Sequence, residues 1–136
     1  MTRTVILFGA GLLCSIASCT SANESSGVLV NDSSGTLTLD WSINGSKDPN
    51  QCNQSVATDI DVVVTTRNGA HVGEFLQRCS DGMTTIALSP GAYVADAALL
   101  DGAGTPRTTY VNINPFVIDS NTDLSILVDF PASSFN

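Results

Sequence analysis

The side chains of this chain that could do chemistry are one histidine, four cysteines and thirteen carboxylates. A Ser-His-Asp triad would need His71 beside a serine, but no Gly-x-Ser-x-Gly elbow occurs. His71 instead follows Asn68-Gly69, where it reads as an exposed residue next to a hairpin. Asp59 and Asp61 lie two apart, so on a strand both project from one face. Paired carboxylates there could ligate Ca²⁺ or hydrolyse a glycoside. A sugar cleft needs aromatic walls, and one Trp and two Tyr are few for that task. No Asp-x-Asp-x-Asp-Gly loop accompanies this pair or Asp101, so the carboxylates read as solvated strand faces that also discourage edge pairing. Trp41 could stack on a sugar, yet it shares strand parity with Leu37, Leu39 and Ile43, which assigns it to a core. Gly102-Ala103-Gly104 is too short, and too near a strand turn, to cradle a phosphate. Asn31-Asp32-Ser33, Asn44-Gly45-Ser46 and Asn53-Gln54-Ser55 match the glycosylation sequon and read as loop residues. No catalytic residue, no cofactor and no metal site is expected.

The cysteines carry more. Ile16-Ala17-Ser18-Cys19 resembles the lipobox of bacterial lipoproteins, in which an aliphatic and two small residues precede a lipidated cysteine. The residues ahead of it fit that resemblance. Arg3 supplies a positive n-region, and Val5 to Leu13 is an apolar stretch far shorter than the roughly 20 residues of a spanning helix. Cys14 follows bulky Leu13 and does not fit the pattern. The resemblance implies a leader over residues 1–18, lipid on Cys19 and a polar tether over 19–26. It also implies a diacylglyceryl group, often with a third, amide-linked chain, which anchors stably where one chain would not. Thr20, in place of an aspartate, favours the outer membrane if the cell has two. An ordinary signal peptide cleaved near Ala17 or Ser18 is the other reading, and it would leave Cys19 as a free thiol. On the lipoprotein reading Cys14 departs with the leader and Cys19 is acylated, which implies a Cys52–Cys79 disulfide in an oxidising compartment. The other reading of these two is a pair of metal-ligating thiolates, for which a distant His71 makes a poor zinc set.

Beyond residue 18, Lys47, Arg67, Arg78 and Arg107 face all thirteen acidic residues, an excess of nine negative charges. That charge repels polyanions, which argues against a nucleic-acid partner and against adhesion to anionic head groups. The 136 residues suit one domain with a single core, placed here at 27–136.

Downstream of the tether the chain shows short alternating runs separated by Gly, Pro, Asn and Asp, without a helical period. Gly27 to Asn31 is a possible first strand. Thr36 to Ile43 alternates cleanly. Lys47 to Gln54 reads as a loop. Asp59 to Thr66 places Ile60, Val62 and Val64 inward. The Asn68-Gly69 hairpin then returns the chain through His71 to Gln77. Further strands are expected at Thr84 to Leu88, Ala92 to Leu100, near Thr108 to Ile113, and at Asp123 to Phe130. Seven or eight such strands predict an all-β fold, an antiparallel β-sandwich, with an up-and-down barrel as the alternative.

Leu88-Ser89-Pro90-Gly91-Ala92-Tyr93, followed by an alternating run and Asp101-Gly102-Ala103-Gly104, is similar to the Leu-x-Pro-Gly-x-Tyr stretch of prealbumin-like sandwiches, the carboxypeptidase regulatory-like domains among them. Pro90-Gly91 suits a type II turn with Gly91 at positive φ, and Tyr93 begins a core strand with its hydroxyl near the sheet end. With Trp41 and two cysteines, the layout also resembles small bacterial lipoproteins. These resemblances imply a non-enzymatic structural or interaction module of the bacterial cell envelope, held to the membrane through Cys19, with an envelope protein as partner. The alternative is a module that binds a small ligand, a glycan or Ca²⁺, through the loops at one end of the sandwich.

Overall fold

The computed structural model describes residues 33–136. Cys14, Cys19, the leader, the tether and the possible strand at Gly27 to Asn31 lie outside the described residues. Among those described, seven strands form two sheets. β1 (Gly35–Ile43), β4 (Met83–Leu88) and β7 (Asp123–Phe130) make a three-stranded sheet in the order β4-β1-β7. β2 (Asp59–Thr66), β3 (His71–Arg78), β5 (Gly91–Leu100) and β6 (Val111–Ile118) make a four-stranded sheet in the order β3-β2-β5-β6. The two sheets enclose one core, which makes this an all-β sandwich.

Alternation explains the layers. On β1, Leu37, Leu39, Trp41 and Ile43 are buried, while Thr36, Thr38 and Asp40 are only half-buried on the other side. Ile60, Val62 and Val64 of β2 are fully buried, as are Ala95, Ala97 and Leu99 of β5. Phe116 of β6 stacks on Tyr93 with ring centroids 5.9 Å apart. Val128 and Phe130 complete the wall contributed by β7. Each inward side chain of this kind contributes roughly 1.5–3 kcal/mol when buried.

One pairing departs from the antiparallel expectation. β1 runs parallel to β7, with Thr36 opposite Asp123 and Ile43 opposite Phe130. Every other strand pair is antiparallel. The chain reaches β1 beside the β6–β7 turn: Ser34 O accepts from Asn121 N (3.2 Å), and Thr36 N donates to Thr122 O (2.8 Å). Gly35 is required there, because a Cβ would lie inside van der Waals contact of Asp119 O, Ile118 Cγ2 and Thr122 O.

Other local expectations are corrected. The Lys47 to Gln54 stretch is not all loop: a one-turn helix, α1 (Asn50–Gln54), follows Pro49, with Asp48 Oδ1 accepting from Asn50 N at 2.9 Å. Its single buried residue is Cys52, so no apolar stripe announces it. The sixth strand lies at Val111–Ile118 rather than near Thr108 to Ile113. Thr108 is spent elsewhere, its buried hydroxyl accepting from Leu99 N at 3.0 Å. Gly91 opens β5 without a positive φ, so the type II turn expected at Pro90-Gly91 is not formed. Tyr93 does sit where expected, its hydroxyl donating to Ser89 O at 2.7 Å.

The exit from α1 carries visible strain. Ala57 N bonds Cys52 O and Val56 N bonds Asn53 O, the two bonds of a Schellman motif, whose left-handed position is held by Val56 at φ 55°. A β-branched residue is a poor occupant of that conformation, and Val56 is also 61% exposed. Val56→Asn should therefore raise stability by roughly 0.5–1 kcal/mol, read as the shift in urea midpoint at constant m-value.

Candidate functional site

The disulfide joins two of the four places where the chain passes between layers. Cys52 of α1 and Cys79, which opens the short 3₁₀ turn after β3, are bonded with Cα atoms 5.9 Å apart. Both are buried, and their disulfide leaves neither as a thiolate that could ligate a metal. Trp41 lies against the same point, its indole Nε1–H donating to Cys79 O at 2.8 Å. The tryptophan is 3% exposed, a core residue and no platform for a sugar.

The outward face of the four-stranded sheet holds most of the polar chemistry. Asp61 is opposite Leu76 on β3 and Ala98 on β5. Val63 in the next outward row is opposite Glu74 and Asp96. Asn112 donates to Asp96 Oδ1 at 3.0 Å. Asp59 and Asp61 were expected to share a wet face. They share the face, but Asp61 is only 2% exposed. The cause is Tyr110, which immediately precedes the Val111 paired with Ala97 and so lies beside Ala98. The alanine is small enough for the tyrosine to reach past it, and its hydroxyl donates to Asp61 Oδ2 at 2.8 Å. Asp61 Oδ1 is buried without a hydrogen-bond partner. The hydrogen bond to Asp61 pushes the Tyr110 phenol up to about 12, helped by desolvation and by the nearby Glu74 and Asp96 carboxylates.

The remaining carboxylates that could have ligated a cation are engaged locally. Asp59 Oδ2 accepts from Thr58 Oγ1 at 2.7 Å. Asp101 Oδ1 accepts from the backbone N–H groups of Thr105 and Ala103, both at 2.9 Å, and these bonds hold its carboxyl below the usual value. Among the described residues no three His, Cys, Asp or Glu side chains gather to hold a metal ion. His71 is exposed at the start of β3.

A second feature was not foreseen. A groove of about 350 Å³ runs between β6 and β7, the free edges of the two sheets on one side of the sandwich. Ile113, Phe116, Leu124, Ile126 and Val128 line it. The sequence marks both strands as amphipathic. It does not show that they end up as facing edges.

No protein-family model matches the chain, and no curated protein matches it in sequence. Among solved structures, the Bacillus anthracis TIE protein superposes on 73% of this chain with a TM-score of 0.53 at 12% identity. The matched part is 17% of that protein's chain, so this chain spans a small fraction of its neighbour's length. The likeness extends the sandwich assignment to a known architecture and concerns the fold alone.

Two outcomes follow. Replacing both Cys52 and Cys79 by serine should cost about 3.5 kcal/mol by the chain-entropy relation, given their separation of 27 residues; urea unfolding against the wild type measures it. Tyr110 has a folded-state pKa above its unfolded value of 10.0, so its hydrogen bond supports the fold fully below that pH and loses its hold as pH rises towards 12. Tyr110→Phe should lower stability at neutral pH and flatten the alkaline decline between these values, read from urea midpoints across the pH range.

Proposed function

We propose that this protein is a bacterial lipoprotein whose sandwich, prealbumin-like and close in kind to carboxypeptidase regulatory-like domains, works as a non-enzymatic protein-interaction module of the cell envelope. The observation that carries the reading is the buried Cys52–Cys79 disulfide, which suits an oxidising compartment outside the cytoplasm. Export is what the Arg3 n-region and the Ile16-Ala17-Ser18-Cys19 run would bring about, with lipid on Cys19 holding the domain at a membrane surface. Thr20 favours the outer membrane where there are two.

The outward face of the four-stranded sheet supports the interaction half of the proposal. Leu76 (61% exposed) and Tyr110 (48% exposed) stand there among Asp59, Glu74 and Asp96, with the cation Arg78 opposite Asp59. An aliphatic and a phenolic tip within a net acidic surround fit a protein surface of mixed apolar and cationic character. The same surround repels nucleic acid.

The test uses the full chain, tagged and expressed in a bacterium, beside Cys19→Ala and Leu76→Asp versions. Intact mass should show acylation at Cys19 that the alanine version lacks. In-cell crosslinking should recover one envelope protein, reduced by Cys19→Ala and lost with Leu76→Asp. An unacylated, soluble chain would overturn the anchor. Recovery that ignores Leu76→Asp would overturn the assigned face. A rise in Tm with Ca²⁺ or a glycan, and no protein partner, would move the reading to the ligand-binding alternative.

A further inference from the structure

We infer that Tyr110 is the lid of a receptor for an arginine side chain of a partner protein, with Asp61 beneath it as the carboxylate that takes the guanidinium. The assignment deepens the reading of this sheet face as an interaction surface and rests on it, but not on the lipid anchor.

The carboxyl of Asp61 is half satisfied. Asp61 is 2% exposed, and its Oδ1 is buried without a hydrogen-bond partner among the described residues. Oδ2 accepts from the Tyr110 hydroxyl at 2.8 Å. Buried acceptors left unpaired are rare, because an unmade bond costs more than a made one returns. A donor with two parallel N–H groups would satisfy both oxygens, and a guanidinium has that fork. By strand parity Asp61 projects outward with Asp59 and Val63, so its carboxyl is aimed at the surface and the tyrosine stands over it.

Tyr110 can leave without disturbing the fold. It is 48% exposed and lies just ahead of β6. Thr109 N donates to Ser134 O at 2.7 Å on one side of it, and Val111 pairs with Ala97 on the other. Its backbone is therefore pinned, and rotation of the side chain alone uncovers Asp61. The displaced ring then offers its face to the guanidinium, which cations and aromatic faces favour. Leu76, opposite Asp61 and 61% exposed, offers an apolar wall to the aliphatic stem of the arginine.

The charges on this face set the direction of approach. Glu74 and Asp96 flank Val63, one outward row away from Asp61, which is about 7 Å along a strand. Both act on the Tyr110 hydroxyl, where they help to hold its proton. Asn112 fixes Asp96 in place through its 3.0 Å bond. Arg78 is opposite Asp59, one row the other way. A cation is thus drawn in from the Val63 side and repelled from the Asp59 side. An ammonium would feel the same field, but it is a compact, strongly hydrated charge that cannot match two oxygens and a ring at once.

The test titrates the full chain, in its Cys19→Ala version, with N-acetyl-arginine methylamide and follows the carboxyl carbon of Asp61 and the ring protons of Tyr110 by NMR. Both sets of signals should move together to saturation. N-acetyl-lysine methylamide should bind more weakly, and the uncharged citrulline analogue should move neither set. Tyr110→Phe removes the bond that closes the lid and keeps the ring, so the arginine probe should bind about fivefold tighter. A purely structural tyrosine would give no such gain. Asp61→Asn should abolish binding, while the Cys52–Cys79 bond and an unchanged Trp41 signal report a folded domain. Equal shifts with citrulline, shifts confined to Glu74 and Asp96, a preference for lysine, or a Tyr110→Phe chain that binds no tighter would each overturn the receptor. Partner recovery that depends on Leu76 would still stand in those cases. Arginine binding at Asp61 with no protein recovered would instead overturn the interaction reading and leave the arginine site.

Discussion

The indole of Trp41 meets the carbonyl of Cys79 at a point where the two sheets are joined. An indole N–H buried without an acceptor would cost about 1–3 kcal/mol, and the 2.8 Å bond to Cys79 O removes that cost. Trp41 belongs to the centre of the three-stranded sheet, whereas Cys79 follows β3 of the other sheet and precedes β4. The disulfide ties the same residue to α1, just ahead of β2. A directional bond and a covalent one thus fix two of the four crossings between layers, those after β1 and after β3. Most of the remaining core is apolar, and such contacts fill space without direction.

The acidity of the chain has a structural logic at that scale. All but two of its thirteen acidic residues are aspartates, the side chain short enough to accept from nearby backbone amides. Asp129 accepts from Ser42 Oγ at 2.7 Å and from Gly45 N at 2.8 Å, so one carboxylate holds β7 to β1 and caps the turn that follows. That turn is Asn44-Gly45 with φ of 51° and 75°, the two-residue connection whose twist suits a hairpin, and Ile43 and Ser46 exchange backbone bonds across it. Asp123 takes the hydroxyl of Thr36 at the other end of the same pair. By contrast the one ion pair among the described residues, Lys47 with Asp40 at 3.7 Å, is exposed and contributes little.

Much of this architecture was legible, because period-two alternation reports directly on which side of a strand meets a core. The bounds of β2 and β7 and the inward set on β1 follow from it residue by residue. Three features were hidden for physical reasons. α1 is too short and too polar to have a period, and its position is set by a covalent bond. The β6 boundary was displaced because Thr108 has strand propensity, but its hydroxyl serves a β5 amide, while Asn114-Pro115, which reads as a break, is absorbed as an irregularity on an edge. Asp61 alternates as a wet residue, and only the three-dimensional neighbour Tyr110 seals it. The groove belongs with these, since alternation is silent about which strands become edges. The Cys52–Cys79 pair was legible only through the lipobox-like run that accounted for the other two cysteines.

The parallel pairing of β1 with β7 has a bearing on how such a chain is made. The central strand of the smaller sheet obtains one neighbour within the first half-hundred residues that follow it and the other only when the last strand has emerged. Chains made from the N-terminus therefore pass through a stage in which β1, with its four buried apolar side chains, has one open side. Contacts of such long sequence separation form slowly, and unpaired edges invite association. Closure of the smaller sheet is thus a late event, set by the β7 that the chain supplies after every other described strand.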